Sequence, residues 1–184
     1  MKKFVIFDLE ATCYDDSRKD EIKPLDFFNE IIEIGAVMLD ETGKEIDRFS
    51  KFAQPKNFPI LSNFCTELTS ITQDDVDNAD MLNIVLEEFM SWIDSAILVS
   101  WGHYDKTQLI KDLCRNSLEH LHYALDDHKS LKHLHAEWNG LRKKGIGMGG
   151  ALKMEGLTLD GTHHRGIDDA INIAKIFRKY IHKF

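Results

Sequence analysis

Two periods of apolar residues organise this chain. Phe4-Val5-Ile6-Phe7 is a continuous apolar run, and residues 3–10 around it read as a strand covered on both faces. Residues 30–40 (EIIEIGAVMLD) read as a second strand. Glu41-Thr42-Gly43-Lys44 supplies a turn, and residues 45–54 a third strand, so this pair is a hairpin. The polar stretch 14–28 is expected to be a surface loop, and 55–70 to be irregular. Thr72 is placed to cap a short turn through Asp77. Asp80 is placed to cap a helix to about Ser95, with Leu82, Val85, Leu86, Phe89 and Ile93 on one face. Residues 96–101 (AILVSW) read as a fourth strand. Helices are predicted over 104–118, over 130–139 with Gly140 ending it, near Ala151, and from about 165 to 182. The inward stripe of the last is Ala170, Ile173, Ala174, Phe177 and Ile181. A hairpin followed by strand–helix alternation predicts an α/β fold, one mixed sheet covered by helices.

Composition narrows the class. The 184 residues suit one domain, 1–184, and 43% hydrophobic with 29% charged residues is a globular profile. No apolar run approaches the roughly 20 residues of a membrane span. The start looks superficially like a secretory leader, but Asp8 and Glu10 interrupt its apolar stretch. A cytoplasmic protein without membrane contact, a monomer or weak dimer, is expected. Cys13, Cys65 and Cys114 are far apart and lack a C-x-x-C pair, which indicates neither a disulfide framework nor a thiolate zinc site. A net charge of −8 argues against coating long stretches of nucleic acid. It leaves open an enzyme gripping a strand end, where metal ions supply the positive charge.

Three segments carry chemistry. In Phe7-Asp8-Leu9-Glu10-Ala11-Thr12, strand geometry projects Asp8 and Glu10 to one face of an otherwise apolar strand. Two like charges there are costly unless a cation neutralises them, and oxygen ligands suit Mg²⁺ or Mn²⁺. In Ser100-Trp101-Gly102-His103-Tyr104-Asp105 the fourth strand ends, the chain turns, and Asp105 begins a helix. If the first and fourth strands are neighbours, their C-terminal ends open on one crevice, where α/β sheets place their sites. In His163-His164-Arg165-Gly166-Ile167-Asp168-Asp169-Ala170, Asp169 lies early in the last helix and His164 just before it.

F-D-x-E-x-T, then W-G-x-[FY]-D, then H-x-x-x-x-D followed by Ala170 and Asn172, resembles the pattern of the DEDDh exonucleases. A sister branch has Tyr where this chain has Arg165, so the histidine branch applies. Residues 29–37, 61–73 and 164–169 are similar to the enhanced-RNAi exonuclease family, whose bacterial members include sporulation-inhibitor-like proteins. Ser70 stands where that family usually has Gly. The resemblance implies a ribonuclease-H-like fold: a single mixed five-stranded sheet, its first three strands antiparallel, flanked by helices. It implies 3′→5′ release of nucleoside 5′-monophosphates from single-stranded nucleic-acid ends, RNA favoured over DNA. Two divalent ions, Mg²⁺ or Mn²⁺, would lie roughly 3.5–4 Å apart. Asp8 would bridge them, Glu10 and Asp169 would complete the first site, and Asp105 would serve the second through waters. His164 would take the proton of the attacking water.

Residues 64–72 mix an aromatic, a leucine and hydroxyls, as a clamp on an unpaired terminal nucleotide requires. Phe64, Leu68 and Thr69, with Ala11, Thr12, Trp101, Tyr104 and His164, are the candidate substrate contacts. His120, His122, His128, His133 and His135 lack regular ligand spacing and are expected on the solvated surface; Trp92, Trp101 and Trp138 are expected in the core, and Arg142-Lys143-Lys144 in a solvated turn. Rival readings are a non-catalytic nucleic-acid- or protein-binding regulator on the same fold and a haloacid-dehalogenase-type phosphatase. The latter typically has Asp, then Gly-Thr, where this chain has Glu10-Ala11-Thr12.

Overall fold

The apolar run at the start folds into the central strand of a sheet. In the computed structural model, which describes residues 2–184, β1 (Lys3–Ala11) pairs antiparallel with β2 (Ile31–Asp40), and β2 with β3 (Glu45–Phe52). On its other edge β1 pairs parallel with β4 (Ile97–Ser100), which pairs parallel with β5 (Lys129–Ser130). The order β3-β2-β1-β4-β5 makes one mixed five-stranded sheet, as expected.

Alternation along β1 divides the core in two. Val5, Phe7 and Leu9 join Ile34, Ala36 and Met38 of β2 under α3 (Leu82–Ile93) and α4 (Tyr104–Arg115). Phe4 and Ile6 join Val37 and Leu39 under α6 (Met148–Met154) and α7 (Gly166–Tyr180). Phe177 of α7 packs on Phe4 with ring centroids 4.9 Å apart. Each large apolar side chain buried this way contributes roughly 1.5–3 kcal/mol.

The start of α7 sits unusually close to β2. A Cβ on Gly35 would lie 2.0 Å from the Gly166 carbonyl carbon and the Ile167 amide nitrogen, so only glycine fits. Glu33, buried two residues earlier, accepts hydrogen bonds from the Gly166 amide at 3.0 Å and from Arg165 Nε at 3.1 Å. Backbone contact and ion pair together fix where the first turn of α7 lies.

Several sequence expectations are corrected. Residues 55–70 are not irregular throughout: α1 (Asn63–Thr69) forms there, capped by Ser62, whose hydroxyl accepts from the Cys65 amide. It is too short to show a period; Cys65 buries against Ile32, Leu61, Ile71 and Val76. Ser70 takes a left-handed conformation, φ 60°, to close α1, so the usual glycine there answers to a helix end. Asp80 does not cap α3; Met81 occupies that position without a side-chain bond, and Asp80 gives its carbonyl to the Gln54 amide. The helix of residues 104–118 stops at Arg115, and a 3-10 helix, Glu119–Leu125, follows. The short turn through Asp77 is α2 (Gln73–Asp77), capped by Thr72 as expected. His135 of α5 (Leu131–Trp138) is fully buried rather than solvated, because it lies one helical turn after inward-facing Leu131 and finds a partner in Glu155, 2.9 Å away. No helix among the described residues is long and apolar enough to cross a membrane.

Two stability outcomes follow. Gly35→Ala forces α7 off the sheet and should lower unfolding free energy by about 1–3 kcal/mol in urea titration. Gly149→Ala, where nothing stands within 4 Å of the new methyl, is the control and should be neutral or stabilising. Ser70→Gly relieves the left-handed backbone and should raise stability by about 1 kcal/mol in the same titration.

Candidate active site

Asp8 and Glu10 continue the row begun by Phe4 and Ile6, on the face of β1 that receives α7. In the β1–β2 register Glu10 stands opposite Glu33. Docked by Gly166 and Glu33, the first turn of α7 delivers Asp169 above this row. Carboxylate oxygens of Asp8, Glu10 and Asp169 come within 4.8 Å of one another. β4 runs parallel to β1, so its C-terminal end leads to the same edge of the sheet, and the first turn of α4 brings in Asp105, 5% exposed. The four acids share a cleft of about 350 Å³ with Trp101, Tyr104, Met148, His163 and His164.

Crowding and burial distort the protonation of these acids. Burial, then Asp105, Glu10 and Asp169, push Asp8 well above the usual carboxylate range. Glu10 is pushed from its ordinary 4.5 to about 8 by burial first, then by Asp169, Glu33 and Asp105. Burial lifts Asp105 to about 6, opposed by hydrogen bonds from the Ser100 hydroxyl and the Leu9 amide. Acids held this way are poised to exchange protons for a cation. An all-oxygen donor set fits Mg²⁺ or Mn²⁺.

His164 lies on the same rim with φ 64°, and its ring stacks on His163 with centroids 4.0 Å apart at 7°. The His164 amide donates to Asp169 Oδ2 at 3.1 Å, and His163 Nδ1 lies 2.9 Å from the same oxygen. Burial and the neighbouring His163 lower the His164 imidazole below its ordinary range, against a smaller upward pull from Asp169. Asn172, fully buried, binds the Asp160 amide and carbonyl and so straps the preceding loop to α7.

The structure therefore brings together Asp8, Glu10, Asp105, Asp169, His164, Trp101 and Tyr104. It does not bring Ala11, Thr12, Phe64, Leu68 and Thr69 into the cleft wall. The Thr12 hydroxyl accepts from the Glu30 amide, and the Thr69 hydroxyl donates to the Cys65 carbonyl and accepts from the Ile71 amide. The Arg18 guanidinium covers the Phe64 ring at 5.5 Å, and Leu68 on α1 is exposed. Trp101 is both wall and core: it lines the cleft, its ring packs beside His135, and its Nε1 donates to the Ile146 carbonyl at 3.1 Å. Residues missed in the sequence are Glu33, Ser100 and His163. Only Glu33 left a signal, an acid sharing one strand face with Gly35 and Val37. His128, expected on the surface, instead sits 3.0 Å from the Ser100 hydroxyl, and burial lowers it to about 4.

A family profile described as an exonuclease of the RNase T type matches residues 5–177. The chain belongs to the RNase T exonuclease family. It is 34% identical over 184 residues to mouse 3′-5′ exoribonuclease 1, covering 93% of this chain and 50% of the relative. It is 31% identical over 201 residues to Xenopus laevis ERI1 exoribonuclease 2, covering 96% and 28%. The chain thus spans half or less of the length of these curated relatives. The nuclease domain of 3′hExo, a DEDDh family member bound to rAMP, superposes with a TM-score of 0.86 at 27% identity, covering 99% of this chain and 92% of that one.

The raised acids set a pH dependence. Between 4.5 and about 8 the folded protein retains on Glu10 a proton that the unfolded chain releases, so rising pH favours unfolding across that window. In chelator, Tm should fall as pH rises through it; Glu10→Gln should flatten the slope, and saturating Mg²⁺ should raise Tm most at the alkaline end. A metal-free Tm that climbs across the window would contradict this account of the cluster.

Proposed function

We propose that this domain is a metal-dependent 3′→5′ exonuclease that removes nucleotides one at a time from single-stranded RNA, releasing nucleoside 5′-monophosphates. The observation that carries the reading is the convergence of Asp8, Glu10 and Asp169 oxygens within 4.8 Å beside His164, in a cleft that also holds Asp105. RNA is preferred over DNA on the strength of relatives named as exoribonucleases and of the rAMP bound by 3′hExo.

Asp8, Glu10 and Asp169 would hold one divalent ion, with Asp8 and Asp105 contributing to a second. Bound there, the cations supply positive charge at the scissile phosphate and acidify a water. His164, kept neutral by burial and by its histidine neighbour, is free to accept the proton of that water. The hydrogen bond from its own backbone amide to Asp169 ties base and acid into one unit. Trp101, anchored through Ile146, and exposed Tyr104 form an aromatic flank for the terminal nucleotide.

Digestion of matched end-labelled RNA and DNA strands, with Mg²⁺ or Mn²⁺, tests the reading. Asp8→Asn and His164→Ala should each reduce nucleotide release by on the order of 10²- to 10⁴-fold while the circular dichroism spectrum is retained. Wild-type levels of release in both variants would reject this assignment of the site, and none in the parent would turn the choice to a non-catalytic nucleic-acid-binding domain.

A further inference from the structure

Consecutive residues in extended chain point to opposite sides. His163 and His164 do not. The left-handed backbone at His164 swings both imidazoles to one side, where they stack almost parallel at 4.0 Å. A non-glycine residue holds that conformation only at a cost of about 1–3 kcal/mol, and such outliers concentrate where a ligand is clamped. Both rings converge on one acceptor: a ring nitrogen of His163, a ring nitrogen of His164 and an oxygen of Asp169 all lie within 4.8 Å of one another. His163 is half exposed at its side chain, so its ring turns without disturbing the core. The proposed hydrolysis gives it no task.

We propose that His163, His164 and Asp169 form a second metal site, selective for a nitrogen-preferring cation of the zinc type, that competes with the catalytic ions for Asp169. Two imidazoles, one carboxylate and an open position toward the cleft are the donor composition of zinc centres, whereas Mg²⁺ favours oxygens throughout. The two donor sets share Asp169 alone. A zinc-type ion in the histidine set therefore removes one oxygen from the catalytic set and occupies the imidazole that accepts the proton. This inhibitory consequence rests on the exonuclease reading; the binding site itself does not.

Binding and inhibition are measured separately. Untagged protein without nucleic acid is titrated with Zn²⁺ by calorimetry and with Co²⁺ by visible absorption, whose d–d bands report nitrogen ligands. His163→Gln and His163→Ala should weaken both ions by on the order of tenfold to a hundredfold. Asp105→Asn should leave Zn²⁺ affinity unchanged while weakening Mn²⁺. His133→Gln, which breaks another stacked pair with His103 at 4.7 Å, is the control for surface histidines and should also leave Zn²⁺ affinity unchanged. In Mn²⁺-supported digestion, micromolar-range Zn²⁺ should inhibit the parent, and His163→Gln should shift the inhibition to higher Zn²⁺ by the factor found in calorimetry. Equal Zn²⁺ affinity in the parent and both His163 variants, or a loss in Asp105→Asn or His133→Gln as large as theirs, overturns the site. An absence of nuclease activity in the parent with the binding pattern intact would sink the exonuclease reading and leave the metal site standing.

Discussion

Everything at the cleft depends on how near α7 comes to β2. With no side chain on Gly35 or Gly166, backbone meets backbone, and the buried carboxylate of Glu33 satisfies the Gly166 amide that would otherwise be stranded in the contact. A side chain at Gly35 would meet the Gly166–Ile167 backbone at 2.0 Å and lift the helix, while one at Gly166 would press on the Gly35 nitrogen at 3.0 Å. Asp169, less than one turn into α7, would then leave the range of Asp8 and Glu10. Arg165 closes the same joint from outside by pairing with Glu33 and lying over the Phe52 ring at 5.1 Å. The joint is structural in character, yet its tolerance is set by the chemistry it positions.

The cleft gathers in one place features found only separately elsewhere among the described residues. Acids are buried beside acids, a histidine sits in a left-handed backbone, and a second histidine lies flat against it. Elsewhere polar groups find conventional partners: His135 pairs with Glu155, Asn172 straps a loop, and Asp112 is met by Gln108, Arg115 and the Ile31 amide. Unfavourable electrostatics concentrated in one concavity, against a background of mostly satisfied groups, is what separates a site from a loosely packed region.

Strong periodic signals and motif spacing made the sheet and the acids readable. The run Phe4–Phe7, the hairpin turn and the α7 stripe are local patterns, and they folded as their periods demand. What could not be read was of two kinds. Short elements such as α1 and the two-residue β5 carry too few positions to show a period. Tertiary partners such as Glu33 with Gly166, or Ser100 with His128, exist only once distant segments meet. The clamp drawn from residues 64–72 failed to line the cleft for the same reason: its composition suited a nucleotide, but position relative to β1 is decided by α1, which has no periodic signature.

The order of the segments along the chain has a consequence for biosynthesis. Asp8 and Glu10 leave the ribosome more than a hundred and fifty residues ahead of Asp169 and its docking glycine. Until α7 arrives, the face of β1 that carries the acids lacks its main helical cover and the Asp169 carboxylate, and closing so long a loop makes this among the late contacts to form. A nascent or truncated chain thus has all five strands but a partly open apolar face, a substrate for chaperones and proteases rather than a premature nuclease.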